Sequence, residues 1–186
     1  SLSNNNVRKI YRDKTGILWI GTAIGLNTYD PIKEEFTRYR ADPLDPNSLS
    51  VDSILSIYED RSGVLWIGTA LGGINKFNRE KEKFNHFHNI SNDPKSLSNN
   101  KTMAIYEDRS GVVWIGTFGG LNKFDRNKET FSCYRNNPHA PSSLSDNRVM
   151  AIYEDRTGIL WVGTLDGLNQ YDRDKGKFFR FMNDPR

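Results

Sequence analysis

Four tryptophans, Trp19, Trp66, Trp114 and Trp161, stand 47, 48 and 47 residues apart, so the chain is built from four copies of one unit. A second marker keeps the same step: Ser-Leu-Ser begins at Ser1, Ser48, Ser96 and Ser143. The one extra residue can be located. Five steps separate Thr22 from Asn27, Thr117 from Asn122 and Thr164 from Asn169, but six separate Thr69 from Asn75, which places the insertion in the turn Ala70-Leu71-Gly72-Gly73. Repeats of this size do not bury their own apolar face and must stack on neighbours.

Each copy reads as four short strands. In the second, Ile54 to Tyr58 is a β-rich run, followed by the turn Asp60-Arg61-Ser62-Gly63, whose glycine supplies the positive φ that closes a short hairpin. Val64 to Thr69 is apolar on both faces, as a strand covered on both sides must be. Ile74 to Phe77 follows the Gly-Gly turn, and a charged turn from Asn78 to Lys83 leads to Phe84-Asn85-His86-Phe87-His88, which alternates apolar and polar like a half-exposed outer strand. A connector rich in Asn, Asp, Pro and Ser closes the unit. No segment has a helical period, and the coils of a parallel β-helix would be shorter. The pattern predicts an all-β chain of four four-stranded antiparallel β-propeller blades, at 1–47, 48–95, 96–142 and 143–186. The first strand of each would line a central channel, and the tryptophans would form the blade cores.

Composition fits that reading. Aromatic residues make up 12% of the chain and suit sheet-on-sheet packing. The net charge is only +3, and its two signs interleave in runs such as Arg79-Glu80-Lys81-Glu82-Lys83, a solvated turn rather than the basic stripe of a nucleic-acid binder. Cys133 is the single cysteine, so no intramolecular disulfide forms. No run approaches the ~18 apolar residues of a membrane span, and no membrane contact by this segment is expected.

The string from Ile57 to Asn75, with its Tyr-Glu-Asp-Arg-Ser-Gly, Leu-Trp-Ile-Gly-Thr and Gly-Gly-Ile-Asn, closely resembles the two-component regulator propeller repeat. Its other copies run from Asp13 to Asn27, Tyr106 to Asn122 and Tyr153 to Asn169. The resemblance implies a periplasmic sensor region of a membrane-anchored regulator. The best-known cases are hybrid histidine kinases of carbohydrate-degrading gut bacteria, whose propellers sense glycan fragments and signal through a membrane-proximal β-sandwich. The chain carries no Tyr-rich β-sandwich segment, transmembrane helix, kinase core or receiver. It is therefore expected to be a fragment cut between blades, ending in the connector residues Asn183-Asp184-Pro185-Arg186. Propellers of the family usually close with about seven blades, so four leave two apolar faces open. The four could close alone, stay an open arc, or pair with a second chain into an eight-bladed ring, and self-association of this last kind is the expectation.

Ligands of propellers generally sit at one mouth of the channel. The positions there that differ between copies while their flanks repeat are Ile24, Leu71, Phe118 and Asp166. Phe118 either stacks on a sugar face or packs against the next blade. Asp166 either accepts hydrogen bonds from hydroxyls or shapes its turn. Asn5, Asp52, Asn100 and Asn147 recur at the start of each first strand, where they either meet a ligand or satisfy backbone groups. The aspartates Asp13, Asp60, Asp108 and Asp155 are read as turn stabilisers, and Glu59, Glu107 and Glu154 beside them as structural. His86 and His88 share a strand face but lack a third ligand, so neither a metal nor another cofactor is expected. Cys133 aligns with Arg38, His86 and Arg180 on the outer strand, an exposed type of position.

The resulting expectation is a non-catalytic, ligand-sensing propeller segment whose partner is a small carbohydrate. The alternatives are a fragment of a sialidase-like glycosidase, since Asp-x-x-Gly-x-x-Trp is close to an Asp-box turn with the glycine displaced, or a structural dimerisation module. Burying a tryptophan of ~200 Å² between blades is worth at most about 5 kcal/mol. Trp114→Ala should therefore cost about 3–5 kcal/mol in denaturant unfolding; an unchanged midpoint would contradict its place in a blade core.

Overall fold

Each repeat folds as an antiparallel meander in which the first and last strands are the edges. A computed structural model describes residues 1–184; Pro185 and Arg186, assigned above to the last connector, lie outside the described residues. The first sheet holds β1 (Val7–Arg12), β2 (Leu18–Thr22), β3 (Gly25–Asp30) and β4 (Glu35–Tyr39). The second holds β5 (Ile54–Glu59), β6 (Leu65–Thr69), β7 (Ile74–Asn78) and β8 (Lys83–Phe87). The third holds β9 (Thr102–Glu107), β10 (Val113–Thr117), β11 (Gly120–Asp125) and β12 (Thr130–Tyr134). The fourth holds β13 (Val149–Glu154), β14 (Leu160–Thr164), β15 (Leu168–Asp172) and β16 (Lys177–Phe181). Every sheet follows sequence order, and no helix is present among the described residues, so the all-β reading of four blades stands. The first strands of blades one, two and four carry a register shift, at Val7/Lys9, Ile54/Ser56 and Val149/Ala151.

The chain divides into two compact units. One comprises Ser1–His88 with Asn100–Thr102; the other comprises Asn89–Asn99 and the residues from Met103 onward. In the first, Trp19 and Leu26 of blade one close on Ile54, Ile57, Leu65, Ile67, Phe77 and Phe84 of blade two. In the second, Trp114 and Leu121 close on Val149, Leu160, Val162, Tyr171 and Phe178. Trp66 and Trp114 are fully buried and Trp19 nearly so, whereas Trp161 is only half-buried and lies against Phe181.

Ser-Leu-Ser has a chemical role beyond marking the period. Its second serine is stapled to the buried asparagine of the third strand. The Ser50 N–H donates to Asn75 Oδ1 at 2.9 Å, and Asn75 Nδ2 donates back to Ser50 Oγ at 2.9 Å and to the Ile67 carbonyl at 3.4 Å. Ser3–Asn27, Ser98–Asn122 and Ser145–Asn169 repeat this pairing. Its leucine is buried beneath, at Leu49, Leu97 and Leu144.

The connector also runs along the following blade's outer edge. Phe84, Phe131 and Phe178 each donate their N–H to it, at the carbonyls of Asn47, Lys95 and Ser142, all at 2.8 Å. An open strand edge is thereby blunted. The residues on the connector side of 47/48, 95/96 and 142/143 thus bond to the blade that follows.

The glycine of the second strand sets how closely the next blade's first strand approaches. A Cβ at Gly21 would lie 2.5 Å from Ile54 Cγ2, and one at Gly116 would lie 2.6 Å from Val149 Cγ1. A Cβ at Gly163 would meet nothing nearer than Ala151 Cβ at 3.5 Å. Gly116→Ala should therefore cost about 1–3 kcal/mol by overpacking, while Gly163→Ala should change stability by less than about 0.5 kcal/mol. Paired urea titrations compare them; equal losses would remove the blade contact as the cause.

Candidate functional site

The two edges of each blade carry different chemistry. One edge holds the turn between the first and second strands. There Asp13 Oδ1 accepts from the Thr15 and Ile17 N–H groups at 2.9 and 3.0 Å and from the Thr15 hydroxyl at 2.6 Å, while Oδ2 accepts the Trp19 indole N–H at 2.7 Å. Asp60, Asp108 and Asp155 take the indoles of Trp66, Trp114 and Trp161 in the same way, at 2.9, 2.7 and 2.8 Å. The turn thus locks the core tryptophan's orientation.

The same carboxylates tie one blade to the next. Arg79 of blade two donates to Asp13 Oδ2 at 2.8 Å and to Glu59 Oε1 at 3.0 Å, with its guanidinium 5.7 Å from the Trp19 ring centre. Glu59 Oε2 in turn accepts the Lys14 N–H of blade one at 3.0 Å. Arg173 repeats the arrangement between blades four and three, reaching Asp108 at 2.7 Å and Glu154 at 2.8 Å, while Glu154 Oε2 accepts the Arg109 N–H at 2.7 Å. Glu107 pairs with Arg126 within blade three at 3.1 Å. These glutamates and aspartates hold structural bonds, and Glu59 and Glu154 are buried. The clamp was not foreseen from the sequence, although an arginine after the third strand, at Arg79, Arg126 and Arg173, repeats with the period.

The opposite edge gathers the varied positions. A threonine that ends the second strand fixes the turn to the third: Thr22, Thr69, Thr117 and Thr164 donate their hydroxyls to the carbonyls of Gly25, Gly73, Gly120 and Gly167 at 2.8, 2.9, 3.1 and 3.0 Å. The tip side chains are left outside that bond. Ile24 is 44% exposed and Leu71 76% exposed, Asp166 is exposed, and Phe118 is half-buried.

The residues at the start of the first strands lie at this edge too. Gly25 N–H donates to the Asp52 carbonyl at 2.7 Å, and Gly73 N–H to the Asn100 carbonyl at 2.9 Å, so the first unit brings Ile24, Leu71, Asp52 and Asn100 to one rim. The Asp52 and Asn147 side chains accept connector N–H groups, from Ala41 and Asn136, both at 2.7 Å. Their carboxylate or amide oxygen is therefore partly committed to backbone. Asn5 is exposed, and its carbonyl accepts the Val7 N–H at 3.1 Å. In the second unit Arg148 is held by Asp146 at 2.8 Å, and Asp166 adds a further attraction for it. Among the described residues no group of three His, Cys, Asp or Glu is placed to hold a metal ion, and no helix is long and apolar enough to cross a membrane.

A family model described as two component regulator propeller matches residues 1–23, 48–70, 96–119 and 143–166, together about half of the chain. Among solved structures, the chain is similar to the extracellular domain of a one-component system from B. thetaiotaomicron, with a TM-score of 0.80 and 27% identity over 98% of this chain and 26% of that one. It is also similar to the extracellular domain of a hybrid two-component system from the same organism, with a TM-score of 0.71 and 25% identity over 97% and 31% of the two chains. Virginiamycin B lyase from Staphylococcus aureus shares the fold alone, at a TM-score of 0.70 and 15% identity over 99% and 58%. The chain therefore spans about a quarter to a third of the two extracellular domains it matches. No curated protein matches it in sequence.

The clamp predicts an acid response. Burial would raise the Asp13 and Asp108 carboxyls. Hydrogen bonds from the turn hydroxyl, the indole and an arginine outweigh it and hold both at about 2, below the ordinary 3.8. A carboxyl depressed in the folded state contributes stability that is present above its unfolded value and lost as pH falls through its folded one. Each side chain is fully buried, so each should contribute about 2–3 kcal/mol at neutral pH that disappears between about pH 4 and pH 2. Urea midpoints measured across that range should fall steeply for the native chain and less steeply for Asp108→Asn.

Proposed function

Since the chain belongs to the two-component regulator propeller family, we propose that it is a non-catalytic, ligand-sensing blade array of a two-component signalling protein. The turn tips carry the specificity, Ile24 and Leu71 in the first unit and Phe118 and Asp166 in the second. One observation supports this most directly. The four turn tips are held by the same threonine-to-carbonyl bond, while the side chains they present differ from copy to copy. A frame closed by the same bond in every copy lets the tip residue vary to match a ligand.

Within each unit, apolar or aromatic tips accompany polar groups, Asp52 and Asn100 in the first and Asp166 and Arg148 in the second, and this mixture suits a small polyhydroxylated ligand with a ring face to cover and hydroxyls to satisfy. A glycan fragment is the proposed class. The non-catalytic reading is supported by the recurring acids, Asp13, Asp60, Asp108, Asp155, Glu59 and Glu154, which are spent on indoles, turn N–H groups and arginines at the far edge from the tips. The likeness to extracellular domains supports a periplasmic placement of the segment.

A panel of oligosaccharides screened by thermal shift and calorimetry tests the assignment. A ligand should raise the melting temperature of the native chain without product formation. Phe118→Ala combined with Asp166→Ala should weaken binding by tenfold or more, with the variant still folded at the assay temperature by circular dichroism. Turnover of chromogenic glycosides would overturn the non-catalytic reading. Binding unaffected by the rim substitutions would move the site elsewhere.

A further inference from the structure

The position aligned with Cys133 is not a simple solvent-facing one. On the outer strand of the other three blades, this side chain turns onto the connector and donates to the carbonyl of the first serine in Ser-Leu-Ser. Arg38 Nε reaches the Ser1 carbonyl at 2.7 Å, with Nη2 on the Ser1 hydroxyl. His86 Nε2 meets the Ser48 carbonyl at 2.6 Å. Arg180 makes the fullest set: Nε to the Ser143 carbonyl at 2.8 Å, and Nη2 to the Ala140 carbonyl at 3.0 Å and the Ser143 hydroxyl at 2.6 Å. The folded connector is thus a cup of oxygen acceptors, and in blade four a guanidinium sits in it.

Blade three builds the same cup and does not fill it. Ser96 Oγ accepts the Ile90 N–H at 2.9 Å and faces the Ile90 and Asp93 carbonyls at 3.2 and 2.9 Å, as Ser143 does with Asn137. The side chain opposite is Cys133, too short to reach in. Its sulfur lies 3.7 Å from the Gly119 and Tyr134 carbonyls instead. Among the described residues no hydrogen bond reaches the Ser96 carbonyl, although Ser96 is only 9% exposed. The space left is a cavity of about 200 Å³ lined by Asn89, Asp93, Pro94, Ser96, Cys133 and Arg135, among others. A carbonyl of a nearly buried residue that lacks a protein donor favours whatever brings it one.

We propose that this cavity binds a guanidinium group from outside the chain, that of a small guanidino compound, seated on the carbonyls of Ser96 and Asp93 as Arg180 is seated in blade four. Asp93 lines the cavity and adds negative charge beside it, its Oδ1 accepting the Lys95 N–H at 2.9 Å. Burial pushes the Cys133 thiol up, which leaves it a neutral wall rather than a counter-charge. Arg135 opposes entry from the other side of the rim, with its Nε held by the Gly119 carbonyl at 3.1 Å. A planar fork of donors matches two diverging carbonyls, which a compact ammonium does not.

Methylguanidinium is the probe, with methylammonium and potassium chloride at equal ionic strength as controls. For a fragment of this size a dissociation constant of roughly a millimolar is expected. Cys133 is the chain's only thiol, so its reaction with a disulfide reagent reads the site directly. At ten times the dissociation constant methylguanidinium should slow it roughly tenfold, while the controls leave it unchanged. By calorimetry, Cys133→Ser should keep binding, because the cavity remains. Cys133→Arg should abolish it, and Cys133→His takes its place if the arginine variant fails to fold. Equal protection by all three salts, or undiminished binding in the filled-cup variant, would overturn the proposal.

Discussion

The carboxylate of the turn aspartate is where sequence, core and blade order meet. One oxygen closes the hairpin by collecting two N–H groups and a hydroxyl; the other fixes the indole that fills the core. At Asp13 and Asp108 that second oxygen also takes an arginine from the following blade. A buried carboxylate with fewer donors would be expensive, and with all of them it is a strong local constraint. The repeat can therefore tolerate drift elsewhere. Val162 stands where other copies have isoleucine, and Tyr171 where blade two has Phe77. The pairing of Asp, Trp and Gly holds in every copy.

This division of labour explains how the turn tips can change without unfolding their frame. The clamp and the indole lie at the edge bearing the turn between first and second strands. The tips that vary lie at the other, closed by a threonine hydroxyl and a glycine carbonyl that make no demand on the residue between them. The second blade even admits an extra residue, with Thr69 still bonded to the Gly73 carbonyl at 2.9 Å. Rigidity and variability are thus built from different residues.

Strands were legible because their pattern is local. In blade two, β6, β7 and β8 fall within a residue of the runs Val64–Thr69, Ile74–Phe77 and Phe84–His88. Contacts between distant residues were not. Ser-Leu-Ser and the third-strand asparagine served only as rulers, although their constant separation was the trace of a direct bond between them. The arginine clamp spans 66 residues from Asp13 to Arg79 and 65 from Asp108 to Arg173, and no periodicity shows that two repeating charges from neighbouring copies converge. Backbone strain was equally hidden. Glu34, Glu82 and Glu129 adopt φ of 58°, 52° and 51° in the turn before the outer strand, and only Gly176 at the matching place in blade four hints at it. Cys133 was misplaced for a related reason: an outer-strand position with Arg, His and Arg in the other copies looks solvated until the connector is seen folding over it.

The clamp also sets blade one apart from the other three. Blades two, three and four bring a glutamate before the turn aspartate and an arginine after the third strand. Blade one has Arg12 and Pro31 at those places. Asp155, whose second oxygen holds only the Trp161 indole among the described residues, and Gly163, above which a Cβ would meet nothing nearer than 3.5 Å, stand in blade four where Asp108 and Gly116 stand in blade three. A second copy docking its first blade there would offer Val7 to the glycine slot, as Val149 fills it in blade three. It would bring Arg12 where a glutamate should accept the Arg156 N–H, and no arginine at all from position 31. Blade one docked in that way would lack the glutamate and the arginine that tie the internal blades together. The face of blade four is better matched to a blade carrying the Glu–Arg pair than to blade one of its own chain.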